Sequence, residues 1–142
     1  MAKMIFVNLP IADLARSTAF YEAVGAAKNP QFSDDTASCM VFSETIHVML
    51  MTHAKYNYFT RKKIADAKTT SQVLLCLSAE SRAEVDDIMA RARAAGGTTD
   101  HGPQDEYDFM YGRDFEDPDG HAWEVMYMDV EAAQKQFASE NA

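Results

Sequence analysis

Glu124 stands inside the run AWEVMYM, residues 122–128, flanked by Trp123 and Val125. A carboxylate among large apolar side chains is costly to bury without a partner. That partner is a metal, a ligand, a neighbouring cation or water. Arg113, in MYGRDFEDPDG, is the cation that a hairpin brings nearest. His47 sits in a second apolar run, ETIHVMLMTH, where an imidazole is either a hydrogen-bonded core residue or a ligand. Glu124 and His47 are therefore the two candidates for general acid–base work. His101 and His121, beside Gly102 and Gly120, read as ordinary loop histidines.

The elements that must position these groups follow from pattern. Asp117-Pro118-Asp119-Gly120 is turn chemistry: proline presets φ and glycine accepts a positive one. The alternating run after it is a strand. Residues two apart on a strand share a face. Glu124 thus shares a face with Ala122, Met126 and Met128, and His121, three positions away, falls opposite. Met4, Phe6 and Asn8 share one face of the first strand. The aliphatic set Ile5, Val7 and Leu9 takes the other, beneath the helices. His47, Met49 and Met51 fall together in the strand 46–52.

The same plan occurs twice. A strand over 4–11 is followed by a helix over 14–24, capped by Asp13 and stopped by Gly25. A strand over 72–77 is followed by a helix with a capping-box pattern at Ser81 and Glu84, an apolar stripe (Val85, Ile88, Met89, Ala92) and a stop at Gly96-Gly97. Each helix precedes three strand-like pieces, at 26–32, 37–43 and 46–52, then at 98–101, 110–116 and 121–128. The repeat spacing is about 67 residues, long enough for one compact supersecondary unit. Module 1 spans about 3–53, a linker or flap 54–70, module 2 71–129 and a helical tail 130–142, all within one domain. The segment from His53 to Thr70 carries Lys55, Arg61, Lys62, Lys63 and Lys68 with Tyr56, Tyr58 and Phe59. It is either a solvated connection or a flap whose cations and aromatics cover a ligand.

Composition narrows the function. A net charge of −9 excludes a nucleic-acid partner, which needs clustered Lys and Arg, and disfavours an anionic membrane surface. No apolar run approaches the roughly 18 residues that span a bilayer. The opening apolar run is too short for a signal-peptide core, so a cytoplasmic location is expected, with Cys39 and Cys76 reduced and buried. No nucleophile elbow, paired C-x-x-C, P-loop or dinucleotide fingerprint occurs.

FVNLPIADLARSTAFYEAVGA and FEDPDGHAWEV together resemble the first module and the last strand of the vicinal oxygen chelate superfamily. That superfamily includes glyoxalase I, the bleomycin and fosfomycin resistance proteins and extradiol dioxygenases. The resemblance covers about residues 3–129 and implies an α+β fold, with two βαβββ modules forming a curved mixed sheet around a funnel. It also implies a homodimer. Metal-using members place ligands in the first and last strands of each module. Those positions fall here on Phe6, on Met49 or His47, near Ser71 or Gln72, and on Glu124, of which only Glu124 is a clear ligand. If Met49 holds a ligand position, the expected funnel lining is Phe6, Asn8, His47, Met49, Met51, Glu124 and Met126, with Arg113 as partner to Glu124.

Three functions remain open: a metal-free small-molecule binder with no cofactor, a lactoylglutathione lyase-like or dioxygenase-like enzyme using one divalent metal ion at Glu124, and a metal-free enzyme with Glu124 or His47 as base.

Overall fold

The computed structural model describes residues 2–140 and shows the doubled α+β plan. Module 1 contains β1 (Ile5–Ile11), α1 (Leu14–Ala23), β2 (Ala27–Asn29), β3 (Ala37–Val41) and β4 (Ile46–Thr52). A short helix, α2 (His53–Phe59), begins the connection. Module 2 contains β5 (Leu74–Ala79), α3 (Arg82–Ala94), β6 (Thr98–Thr99), β7 (Asp105–Tyr107), β8 (Met110–Glu116) and β9 (Ala122–Met128), and α4 (Val130–Glu140) closes the chain. The strand orders are β1-β4-β3-β2 and β5-β9-β8-β6, with β7 added to β8. Within each sheet the first strand is parallel to the last and the remaining pairs are antiparallel.

Local chemistry explains the boundaries. The Asp13 carboxylate accepts the Arg16 amide at the start of α1, and Ser81 caps α3 by accepting the Glu84 amide. Pro30 cannot donate to a ladder, so β2 stops at Asn29 and a 3₁₀ turn replaces the expected continuation to Phe32. β6 stops at Thr99 because Asp100 turns the chain with φ +62°. The connection is not featureless: Thr52 accepts the Lys55 amide and starts α2. β7, a third strand of the module-2 hairpin, was not expected from the sequence.

The helix faces of both sheets meet in one shared core. Phe20 and Tyr21 of α1 lie fully buried against Phe115 of β8 and Trp123 of β9, with Phe42 closing the aromatic cluster. Such edge and tilted ring contacts add to the stabilisation from burial alone. β1 and β5 are left as unpaired edges, so the two sheets do not join within the chain. Ile5 is therefore 56% exposed although it lies on the aliphatic face, and only Leu9 of that set is buried. Cys39 is buried and Cys76 exposed, both as free thiols. The expectation of a buried Cys76 is corrected: its side chain lies on the open face of an edge strand. Among the described residues no helix is long and apolar enough to cross a membrane.

Candidate functional site

A cavity of about 650 Å³ lies where the edges of β1 and β5 approach the start of β9. That volume is in the range of small-molecule sites. Its walls are largely aliphatic and aromatic: Val7 and Leu9 from β1, Leu74 and Leu75 from β5, and Trp123 from β9. Tyr56 of α2 and residues 67–72 of the connection close one side. The polar groups come from Asn8, from Glu124, from Lys68 to Gln72 and His121, and from a cluster not expected from the sequence: His101, Asp114 and Glu116.

Register explains why the carboxylates converge. Glu124 lies opposite Asp114 on β8 and Cys76 on β5, and Ala122 lies opposite Glu116. Paired residues share a face, so Asp114, Glu116 and Glu124 form an acidic surface on one side of the sheet. Burial and then the Glu124 charge push the Cys76 thiol up from its usual range.

His101 is tied into this surface. Its Nδ1 lies 2.7 Å from Asp114 Oδ1, and its Nε2 lies 2.8 Å from Thr98 Oγ1 and 3.5 Å from Glu116 Oε2. Asp114 also accepts the His101 and Gly102 amides at 2.9 and 3.0 Å. Burial pushes the Asp114 carboxyl upward, but the amide and imidazole hydrogen bonds outweigh it and hold the group below its ordinary range. An ionised carboxylate only accepts, so the proton of a neutral His101 sits on Nδ1 and Nε2 accepts from the Thr98 hydroxyl.

Two of the expected lining residues, Asn8 and Glu124, reach the cavity. Phe6, His47, Met49 and Met51 share the face of Asn8, as strand parity requires, but lie outside the cavity wall. Phe6 stacks on His47 at 4.5 Å between ring centroids, and the buried His47 Nδ1 has no hydrogen-bond partner among the described residues. Met126 shares the face of Glu124, beyond the cavity wall.

Arg113 is a correction. It lies opposite Val125, so it points to the helix side, away from Glu124. There its guanidinium donates to both oxygens of Asp100, at 3.0 and 2.8 Å, and to Asp86 at 3.0 Å. The Arg113 hydrogen bonds hold the Asp100 carboxyl well below the usual range, against an opposing contribution from burial.

The residues present do not fit a resident metal within one chain. Among the described residues no three His, Cys, Asp or Glu side chains group closely enough to hold an ion. Phe6 and Met49 supply no hard donor where one would be needed.

The sequence profile described as Glyoxalase/Bleomycin resistance protein/Dioxygenase superfamily matches residues 3–125. Solved structures share the fold. A hypothetical protein from S. aureus superposes with a TM-score of 0.74 at 22% identity, covering 89% of this chain and 94% of its own. A glyoxalase/bleomycin resistance protein/dioxygenase family enzyme from Burkholderia phytofirmans PsJN gives 0.74 at 19%, covering 89% and 99%. The fosfomycin resistance protein FosX from Listeria monocytogenes gives 0.64 at 17%, covering 89% and 91%. No curated protein matches the chain.

Proposed function

The chain belongs to the glyoxalase/bleomycin resistance protein/dioxygenase superfamily, and we propose that within it this protein is a metal-free small-molecule binder. The observation that carries the reading is the cavity of about 650 Å³, with more apolar than polar wall and polar groups contributed by several elements. Apolar walls supply affinity and the few polar groups fix orientation. The single tryptophan, Trp123, lines the cavity and reports on occupancy.

The working unit proposed is a homodimer. β1 and β5 are open edges, and Ile5, Phe6 and Leu74 on them are each at least half exposed. Unpaired edges with large apolar side chains are protected when another strand covers them.

The test is metal content by elemental mass spectrometry on untagged protein. Thermal shift with Ni²⁺, Zn²⁺, Mn²⁺ and Fe²⁺ follows, then a ligand screen read by Trp123 fluorescence. The expected result is no stoichiometric metal, no metal-induced shift, and ligands that change the fluorescence. Stoichiometric metal lost on Glu124→Ala would overturn the reading in favour of a metal-dependent enzyme.

A further inference from the structure

We propose that His101, oriented by Asp114, is a general base acting on molecules held in the cavity. The inference rests on the reading of the cavity as a small-molecule site and adds a chemical step to it.

The geometry has the three parts that a working base requires. The first is orientation. Asp114 fixes one ring nitrogen at 2.7 Å and also holds the backbone on both sides of the ring's attachment, through the His101 and Gly102 amides. The second is a lone pair that a reacting proton can reach by displacing Thr98. Nε2 accepts from a hydroxyl, that of Thr98, at 2.8 Å, which is the contact that a reacting O–H or C–H would take over. The third is stabilisation of the cation formed. Glu116 lies 3.5 Å from Nε2, and Glu124 shares the face of Asp114 and Glu116. The imidazolium formed on taking a proton would have the Asp114 and Glu116 carboxylates beside it.

The turn that brings His101 to this place is held under strain. Asp100 adopts φ +62°, a conformation non-glycine residues seldom take. Its carboxylate is fixed by Arg113 from below the sheet and by Arg93 of α3 at 2.7 Å. Backbone strain of this kind persists where the surroundings enforce it. The molecule taken is a carbon acid small enough for the cavity, with its acidic hydrogen beside an electron-withdrawing group.

The probe is 5-nitrobenzisoxazole, an uncharged, flat carbon acid opened by any well-placed base. Nε2 takes the C3 proton, the C–H electron pair forms the nitrile, and the N–O bond breaks with its pair leaving on the phenolate oxygen. Binding is measured first, by calorimetry with the probe, and turnover second, by phenolate absorbance. The expected result is saturable turnover that falls about 10²-fold in His101→Ala, the low end of general-base contributions. Added imidazole should restore that turnover. Asp114→Asn should lower kcat with KM unchanged, as befits a positioning residue. His53→Gln, an imidazole outside the cavity, should leave the rate alone. Melting curves of each variant separate loss of base from loss of fold. Probe binding with turnover that survives His101→Ala, or that is lost only in Glu124→Gln, overturns the assignment of His101 and leaves the cavity reading standing. Absence of probe binding overturns both.

Discussion

The Tyr21 hydroxyl donates a 2.7 Å hydrogen bond to the buried carboxylate of Asp117. The two residues belong to different modules: one is in helix α1, the other is the first residue of the DPDG turn. Tyr21 in turn accepts from the Trp123 indole at 3.0 Å, so the pair extends into the shared aromatic core. Asp117 also accepts the Asp119 and His121 amides. Asp119 accepts the Ala12 amide and the Ser17 hydroxyl beside the start of α1. The turn after β8 therefore clamps module 2 onto module 1, and with it fixes the register that aims Glu124 into the cavity.

Removing the Tyr21 hydroxyl tests the clamp. Tyr21→Phe leaves Asp117 Oδ2 and the Trp123 indole each without its hydrogen-bond partner, which should cost about 1–3 kcal/mol by urea unfolding. The pH dependence has a definite sign. Burial pushes the Asp117 carboxyl up, the largest influence on it, against the His121 charge and the Tyr21 hydrogen bond. An acid raised in the folded state binds more protons folded than unfolded between the two pKa values. Its contribution is thus greatest below the unfolded value of about 3.9 and falls as pH rises through the folded one. The stability difference between wild type and Asp117→Asn should decline across that window and be flat above it.

Arg113 should matter for stability more than for recognition. Its side chain is 14% exposed and bonded to Asp100 and Asp86, on the sheet face away from Glu124. Arg113→Met should lower stability by about 1–3 kcal/mol, the cost of losing charge-assisted bonds to two carboxylates. Asp100 is held well below its usual range, so the contribution is present above the unfolded carboxyl pKa. It fades as pH falls through the depressed one. Urea curves at neutral and strongly acid pH give the comparison, and an unchanged midpoint at neutral pH would remove Arg113 from the fold's support.

The doubled plan, the caps at Asp13 and Ser81 and the shared face of Phe6 and Asn8 are legible because each is built from patterns of residues a few positions apart. The cavity is less so. Closeness in the hairpin alone makes Arg113 the expected partner of Glu124. The five-residue bend from Asp117 to His121 sets Asp114 opposite Glu124, and a one-residue difference in register puts Arg113 on the other face. His101 was passed over because its role depends on a positive φ at Asp100 and on a partner thirteen residues away, neither of which leaves a periodic mark. The DPDG motif announced a turn, and nothing local announced that its carboxylates would hold the other module.

The dimer can be broken at its edges. Ile5→Asp with Leu74→Asp places a charge on each open strand while leaving the buried core untouched, since both side chains are more than half exposed in the single chain. Light scattering after size exclusion should show wild type at twice the 15.8 kDa chain mass and the double variant at one. A wild-type monomer at micromolar concentration would dismiss the dimer.

Gly120 links the clamp to the cavity's roof. It has φ +92°, and a Cβ there would stand 2.7 Å from the Lys68 amide nitrogen and 2.9 Å from the Ala67 carbonyl carbon. Both obstacles are backbone, so no side-chain rotation relieves the clash. Gly120→Ala should therefore push residues 67–68 away from the turn and open the side of the cavity that the connection closes. The backbone penalty alone is of order 1 kcal/mol or more. The expected signature is a lowered melting temperature together with weakened ligand binding by Trp123 fluorescence. Asp119→Asn loosens the same turn from α1 without touching the roof, and should lower the melting temperature while sparing affinity. If Gly120→Ala lost stability and kept full affinity, the connection would be a passive strap rather than part of the binding wall.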